Sequence, residues 1–119
     1  MRRIAFIGCR DWDQWGAVRD EMLATAKRVG EGFVVITGDA SGADELAREF
    51  AGVMGYPLAV HEAYWDRFGK RAGPERNGRI VADADACVAF WDGQSRGTLD
   101  CITQFVRAGK PVRIVARQR

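Results

Sequence analysis

The sequence predicts an α/β fold, a three-layer α/β/α sandwich around a mostly parallel sheet of about five strands. Two observations predict it. Short apolar runs rich in β-branched residues recur along the chain, and longer segments with apolar residues at helical spacing lie between them. This alternation is typical of βαβ units, whose strands are covered by helices on both faces. The length matches one domain, so we expect residues 1–119 to form a single domain.

The first half of the chain holds three predicted strands and two helices. Arg3–Gly8 is an apolar strand, and a helix follows from Gln14 to Val29 because its apolar residues recur every three or four positions. That stripe consists of Trp15, Val18, Met22, Ala26 and Val29. Phe33–Thr37 is apolar almost throughout, as a buried parallel strand should be. A helix from Ala43 to Met54 and a strand at Leu58–His61 complete this half.

The second half continues the pattern after an interruption. Residues 62–73 are polar and aromatic without a regular period, so we predict an irregular segment there. Pro74 suits the first turn of a helix that runs to about Ala84. The later elements are strand Ala86–Phe90, exit loop Trp91–Gly97, helix Thr98–Ala108 and strand Val112–Val115. Leu99, Ile102, Phe105 and Val106 form the apolar side of that helix. We expect residues 116–119 to be a frayed tail.

The amino-acid composition of the chain disfavours several classes of protein. The net charge of +2 is too small to favour a nucleic-acid protein, although residues 61–119 carry eleven Lys/Arg against seven Asp/Glu. Three cysteines without a CxxC pair, and a single histidine, argue against a disulfide framework, a zinc site or any other metal site. We find no signal-peptide core or membrane-length apolar run, and expect a cytoplasmic protein without membrane contact.

Three loops stand at the carboxyl ends of predicted strands, where ligands bind in open parallel sheets. In TGDASGAD, the residues Gly38, Ser41 and Gly42 lie between a strand and a helix. Glycine lets the backbone approach a ligand, and free N–H groups at a helix start favour phosphate. Alternatively these glycines only shape a tight turn, with Ser41 or Asp44 satisfying first-turn N–H groups.

The loop WDGQSRGTLD repeats this arrangement at another helix start, with Gly97 and Thr98 before the apolar stripe. Asp100 lies in the first turn, where a carboxylate is either a favourable cap or a ligand-binding or catalytic group. Thr98 could equally be the N-cap residue. Two anion-ready helix starts on one sheet edge strengthen the prediction of a phosphate site.

Other side chains near these loops suit an anionic ligand. Arg10 follows the first strand, and Arg76 with Asn77 supplies planar donors for phosphate or carboxylate. The loop tryptophans Trp12, Trp65 and Trp91 could stack on a base, but packing under loops is the more frequent use. The chain lacks a GxxxxGK[ST] loop, a GxGxxG after the first strand and HExxH, which disfavours common ATPases and dinucleotide dehydrogenases. We expect no cofactor.

Taken in order, four segments resemble the compact YspA-like, cpYpsA-related branch of the SLOG superfamily. They are Gly8-Cys9-Arg10, Gly38 to Asp44, Trp65 to Asn77, and Arg96 to Asp100. The resemblance covers nearly the whole chain and implies a Rossmann-like sheet that binds nucleotides or their derivatives, in a superfamily that includes LOG-type phosphoribohydrolases and DprA. It implies phosphate-facing Gly38, Ser41, Gly42, Gly97 and Thr98. It further implies that Gly8 and Asp44 belong to the ligand site and that Arg10, Arg76 and Asn77 line the pocket.

The chain departs from the enzyme pattern of that superfamily. LOG-type hydrolases read PGGxGTxxE, whereas Cys101 occupies the glutamate position here and Asp100 lies one residue early. One residue along a helix rotates a side chain by about 100°, so Asp100 should point differently. The leading hypothesis is therefore a sensor or sequestering module for a nucleotide-derived small molecule. The second hypothesis is a hydrolase of nucleoside monophosphates that uses Asp100 with Arg76 or Arg10. The last is a DprA-like protein associated with single-stranded DNA. We also expect a homo-oligomer.

Overall fold

The computed structural model describes residues 2–118 and has five parallel strands in one sheet. The strands are β1 Arg3–Gly8, β2 Val34–Gly38, β3 Leu58–His61, β4 Ala86–Trp91 and β5 Val112–Ala116. The helices are α1 Trp15–Val29, α2 Ala43–Met54, α3 Trp65–Phe68, α4 Ala72–Asp83 and α5 Arg96–Arg107, with a 3₁₀ turn at Gly69–Arg71. The predicted Rossmann-like three-layer sandwich is confirmed.

The strand order β3-β2-β1-β4-β5 puts β1 in the centre of the sheet. The chain first adds β2 and β3 on one side of β1, and then crosses back to add β4 and β5 on the other side. This reversal leaves a crevice beyond the carboxyl ends of β1 and β4, the position at which open α/β sheets bind ligands.

Alternating residues of the central strand separate two hydrophobic cores. Ile4 and Phe6 face the layer of α1 and α2, while Ala5 and Ile7 face the layer of α4 and α5. The buried residues of α5 are Thr98, Cys101, Ile102 and Phe105. Because β1 is covered on both faces, its apolar run is continuous rather than alternating.

Several sequence expectations about helices were wrong. Residues 62–73 contain α3, the 3₁₀ turn and the start of α4, which begins at Ala72 because Pro74 still lies in the first turn, where its N–H is not needed. Trp15 is 60% exposed at the first position of α1. Leu99 and Val106 are also exposed, since the buried face of α5 is turned by about one residue from the predicted stripe.

The tail expectation was also wrong for the described residues. The Arg117 guanidinium pairs with Asp11 at 3.0 Å, and the Gln118 N–H donates to Gln14 Oε1 at 2.9 Å. Arg119 lies outside the described residues. Within residues 2–118, no helix combines the length and the apolar character needed to cross a membrane.

Candidate functional site

A cavity of about 370 Å³ opens at the crevice between β1 and β4. The end of β1 and its exit loop form one side, and the first turns of α4 and α5 form the other. Its volume lies near the lower end of the range of small-molecule sites, about 300 to 1,000 Å³. The cavity therefore has the size and the position expected for a small ligand.

Most of the predicted ligand-binding residues meet in this cavity. Those that line it are Gly8, Arg10, Asp44, Arg76, Asn77, Gly97 and Thr98. Gly38, Ser41, Gly42 and Asp100 are not among the lining residues. Residues from both halves of the chain thus build one site, and Ser41 lines a smaller neighbouring pocket together with Arg10 and Arg76.

The first turn of α5 faces the cavity. Ser95, rather than Thr98, is the N-cap residue, and its Oγ accepts from the Thr98 N–H at 3.5 Å. The first N–H groups of a helix have no partner within that helix, which favours an anion at this end. A methyl group added to Gly97 would meet no other atom within 4 Å, so this turn is open. Sequence reasoning missed Ser95 because it started the helix two residues late.

The corresponding turn before α2 is closed by the protein itself. The Ala43 N–H donates to the Cys9 carbonyl oxygen at 3.1 Å, and Ser41 Oγ donates to the Arg10 carbonyl oxygen at 3.0 Å. Gly42 has φ of 74°, and a Cβ there would collide with the backbone of Cys9 and Arg10. These residues hold the β1 exit loop in place; their contact with a ligand stays a prediction.

Arg76 is a buried arginine whose charge is already balanced. Its Nη1 lies 2.8 Å from Asp39 Oδ1, and its Nε donates to Asn77 Oδ1 at 3.1 Å. A methyl group on Gly38 would lie 2.5 Å from Asp44 Oδ2 and 2.7 Å from Arg76 Nη1, so a larger residue here would displace these two side chains. Sequence reasoning missed Asp39, which gave no signal beyond its place in a turn.

Asn77 joins α4 to α5 rather than offering a free amide. Its Nδ2 donates to the Gly97 carbonyl oxygen at 3.2 Å and to Asp100 Oδ2 at 3.0 Å. Asp100 Oδ2 also accepts from Gln104 Nε2 at 2.8 Å. The carboxylate proposed for catalysis is therefore engaged in fixing α5, away from the cavity lining.

Cys101, at the position of the glutamate in the LOG pattern, does line the cavity. Burial raises the pKa of its thiol to about 12, and the nearby charge of Asp44 adds to that effect. A neutral thiol is the form present at physiological pH. It is a poor substitute for a carboxylate in proton transfer.

Asp44 is the buried carboxylate of the cavity wall, with only 3% of the residue exposed. Burial raises its pKa to about 6, and the positive charges of Arg76 and Arg48 oppose that rise. Oδ2 accepts from the Ala40 N–H at 3.3 Å, whereas Oδ1 has no hydrogen-bond partner among residues 2–118. A buried carboxylate with a raised pKa beside a cavity is a typical feature of functional sites.

Arg10 stands at the cavity mouth with an exposed side chain. Its guanidinium carbon lies 5.5 Å from the ring centroid of Trp65, which is 48% exposed. No carboxylate lies within 4.0 Å of the Arg10 guanidinium among residues 2–118. By contrast, Trp12 is buried against Phe90, so the packing interpretation holds for that tryptophan. Arg10 thus offers a positive charge that an anionic ligand can pair with.

One group of potential metal ligands lies beside the cavity. The donor atoms of Cys9, Asp11 and Asp92 are within 4.8 Å of one another. Their contacts are within the protein: Cys9 Sγ accepts from the Asp92 N–H at 3.3 Å, and Asp11 pairs with Arg117. Burial raises the pKa of the Cys9 thiol, which disfavours the thiolate that a metal needs. We assign this group to the stability of the loops.

Comparison with known proteins agrees with the family resemblance of the sequence segments. The family model described as YspA, cpYpsA-related SLOG family matches residues 2–68. The gene 61 protein of Mycobacterium phage D29 is 39% identical over 118 residues, covering 94% of this chain and 94% of that protein. No solved structure matches the chain. The first three segments with a family resemblance begin within the matched range, and the phage relative extends the similarity to α5.

Proposed function

Because the chain belongs to the YspA, cpYpsA-related SLOG family, we propose that it binds a nucleotide or nucleotide-derived ligand as a sensor or sequestering module. The ligand occupies the cavity between β1 and β4, with a phosphate at the first turn of α5. The observation that carries this proposal is the open turn at Gly97, beside a cavity at whose mouth Arg10 has no carboxylate partner within the described part of the chain.

The charge distribution supports an anionic small ligand over a nucleic acid. Six arginines pair with carboxylates within 4.0 Å: Arg3, Arg19, Arg76, Arg79, Arg113 and Arg117. Pairing with a carboxylate neutralises these six side chains, which weakens their attraction for the phosphates of a nucleic-acid backbone. The positive charge of Arg10 and the first turn of α5 converge on the cavity instead.

The same contacts favour binding over hydrolysis. Base release by the LOG pattern needs a carboxylate at the ligand, but the matching position is Cys101 with a neutral thiol. Asp100 is hydrogen-bonded to Asn77 and Gln104. We therefore expect a bound nucleotide to remain intact.

A thermal-shift screen tests the proposed function. Nucleoside monophosphates, ADP-ribose, sugar nucleotides and cyclic dinucleotides are added to the purified protein, and free base is assayed in the same wells. A ligand at a hundred times its dissociation constant adds about 2.7 kcal/mol to the free energy of unfolding. Stabilisation without base release supports a binding module, base release makes the protein an enzyme, and no shift with any ligand contradicts the proposal. Size-exclusion chromatography of the same samples tests the expected homo-oligomer.

A further inference from the structure

We propose that the Asp44 carboxylate accepts a hydrogen bond from a sugar hydroxyl of the ligand, so that the cavity selects ribonucleotides over their deoxy counterparts. This inference rests on the proposed function and adds the class of nucleotide to it. It is carried by the Oδ1 atom of Asp44, a residue that is 3% exposed and forms part of the cavity wall; this atom has no hydrogen-bond partner among residues 2–118.

The two oxygens of Asp44 differ in their surroundings. Oδ2 lies beside Gly38 and accepts from the Ala40 N–H at 3.3 Å. Oδ1 is fully buried and has no hydrogen-bond partner among residues 2–118. The Gly8 N–H is close enough to lower the pKa of the carboxyl, but makes no hydrogen bond of ordinary geometry with it. An unpaired buried acceptor destabilises the fold, so its retention at a cavity indicates a donor that arrives with the ligand.

The positively charged side chains near Asp44 already donate hydrogen bonds to other groups. Arg76 donates to Asp39 and Asn77, and Nη1 of Arg48 donates to the carbonyl oxygens of Gly38 and Ala40. From α5 the facing titratable group is Cys101, whose thiol is neutral. The missing donor must therefore come from the cavity side.

The chemistry of the missing donor follows from the charges. A phosphate has no donor to offer and would be repelled by Asp44, so it belongs at the opposite side with Arg10 and the first turn of α5. A sugar hydroxyl is a neutral donor, and a carboxylate oxygen accepts such a hydrogen bond without charge repulsion. A site built to hydrogen-bond a hydroxyl discriminates strongly against an analogue that lacks it, because the buried acceptor is then left unpaired.

The first experiment uses the unaltered protein. Isothermal titration calorimetry compares AMP, GMP, CMP and UMP, and then the 2′-deoxy and 3′-deoxy forms of the tightest binder. We expect at least one deoxy form to bind about tenfold more weakly or worse, since a hydrogen bond to a charged group contributes about 1.5–3 kcal/mol. Equal affinities for all three forms overturn the inference while leaving the proposed function intact. If none of the four monophosphates binds, the inference is overturned, and the proposed function is overturned as well only if the thermal-shift screen also finds no ligand.

A matched pair of variants assigns the discrimination to one side chain. Asp44→Asn preserves shape and leaves Arg76 paired with Asp39, while Glu45→Gln removes the charge of the adjacent exposed carboxylate. We expect Asp44→Asn to bind the ribonucleotide about tenfold more weakly and to lose most of its preference over the deoxy form. Glu45→Gln should keep both properties. A folded Asp44→Asn protein that retains the full preference overturns the inference; if it does not fold, the deoxy comparison alone decides.

Discussion

Two glycine-containing turns on the same edge of the sheet differ in what lies next to them. The turn before α2, residues 38–42, is filled by the β1 exit loop, whose Cys9 carbonyl oxygen accepts from the Ala43 N–H. The turn before α5, residues 92–97, leaves free space above Gly97 and faces the cavity. We call them the closed turn and the open turn.

The difference shows that glycine serves two purposes in strand-to-helix turns. In the closed turn, Gly42 allows two backbone segments to touch and supplies a positive φ that other residues rarely adopt. In the open turn, Gly97 has no structural neighbour that excludes a side chain. A glycine that the fold does not need is the better candidate for ligand contact. Substitutions at the two positions should therefore affect different properties.

The largest expected effect is on stability, from Gly42→Ala. The methyl group would collide with the backbone of Cys9 and Arg10, and the positive φ would add strain. We expect the free energy of unfolding to fall by about 3 kcal/mol or more, measured by urea denaturation. A loss below about 1 kcal/mol would show that the closed turn can move apart, and would weaken the comparison.

The next largest expected effect is a pH dependence of stability that comes from Asp44. This residue follows the closed turn and lines the cavity. Burial raises its pKa from 3.8 to about 6, so the folded state keeps a proton that the unfolded state loses. The stability that this carboxyl contributes is therefore present below about pH 4 and lost as the pH rises through 6. Relative to Asp44→Asn, the unaltered protein should lose about 2 kcal/mol between pH 3.5 and 7, as measured by denaturation at several pH values. Parallel pH profiles would contradict this.

For the open turn, the expected effect of Gly97→Ala is on binding. The added methyl group meets no protein atom within 4 Å, so stability should change by less than about 0.5 kcal/mol. It would occupy space where we place the phosphate, and calorimetry should show affinity for the selected nucleotide reduced about tenfold or more. The matched control is Gly52→Ala, an exposed helical position with equally free space. It should keep full affinity and gain up to about 1 kcal/mol of stability. Unchanged affinity in Gly97→Ala would remove the open turn from the ligand site.

The smallest expected effect comes from Arg10, which borders both turns. Its carbonyl oxygen accepts a hydrogen bond from Ser41 Oγ in the closed turn. Its side chain lies at the cavity mouth without a carboxylate partner among the described residues. Arg10→Ala keeps the carbonyl, so stability should be preserved while affinity falls roughly fivefold and depends less on salt. Arg28→Ala, at an exposed position on α1, is the control. Equal affinities in both variants would exclude Arg10 from the site.

The fold was largely predictable from the sequence because each strand is a short apolar run, and a buried parallel sheet permits little else. The errors occurred where local periodicity competes with tertiary packing. Of the predicted stripe of α5, Ile102 and Phe105 are buried, whereas Leu99 and Val106 are exposed and the helix turns Cys101 inward instead. Residues 62–73 gave no period because α3 and the 3₁₀ turn are too short to show one.

The candidate site was predictable as a set of loops but not as a set of contacts. The glycines and arginines of the loops were recognisable, and seven of the predicted residues meet in one cavity. The path of the β1 exit loop decides which turn opens toward a ligand, and no local sequence pattern predicts that path. The pairing of Arg76 with Asp39 across α4 and the β2 exit likewise required the tertiary structure. Ser95 alone had a readable signal, since serine is a preferred N-cap residue.

The central position of β1 in the sheet also affects when the ligand site can form during synthesis. Its neighbour β2 leaves the ribosome before its other neighbour, β4, and before α5. Until residues 86–107 have emerged, β1 lacks its pairing with β4, and the cavity lacks the part of its wall that α5 forms. A nascent chain that lacks these residues therefore has only part of the ligand site, and we expect it to bind a ligand only after α5 has been added.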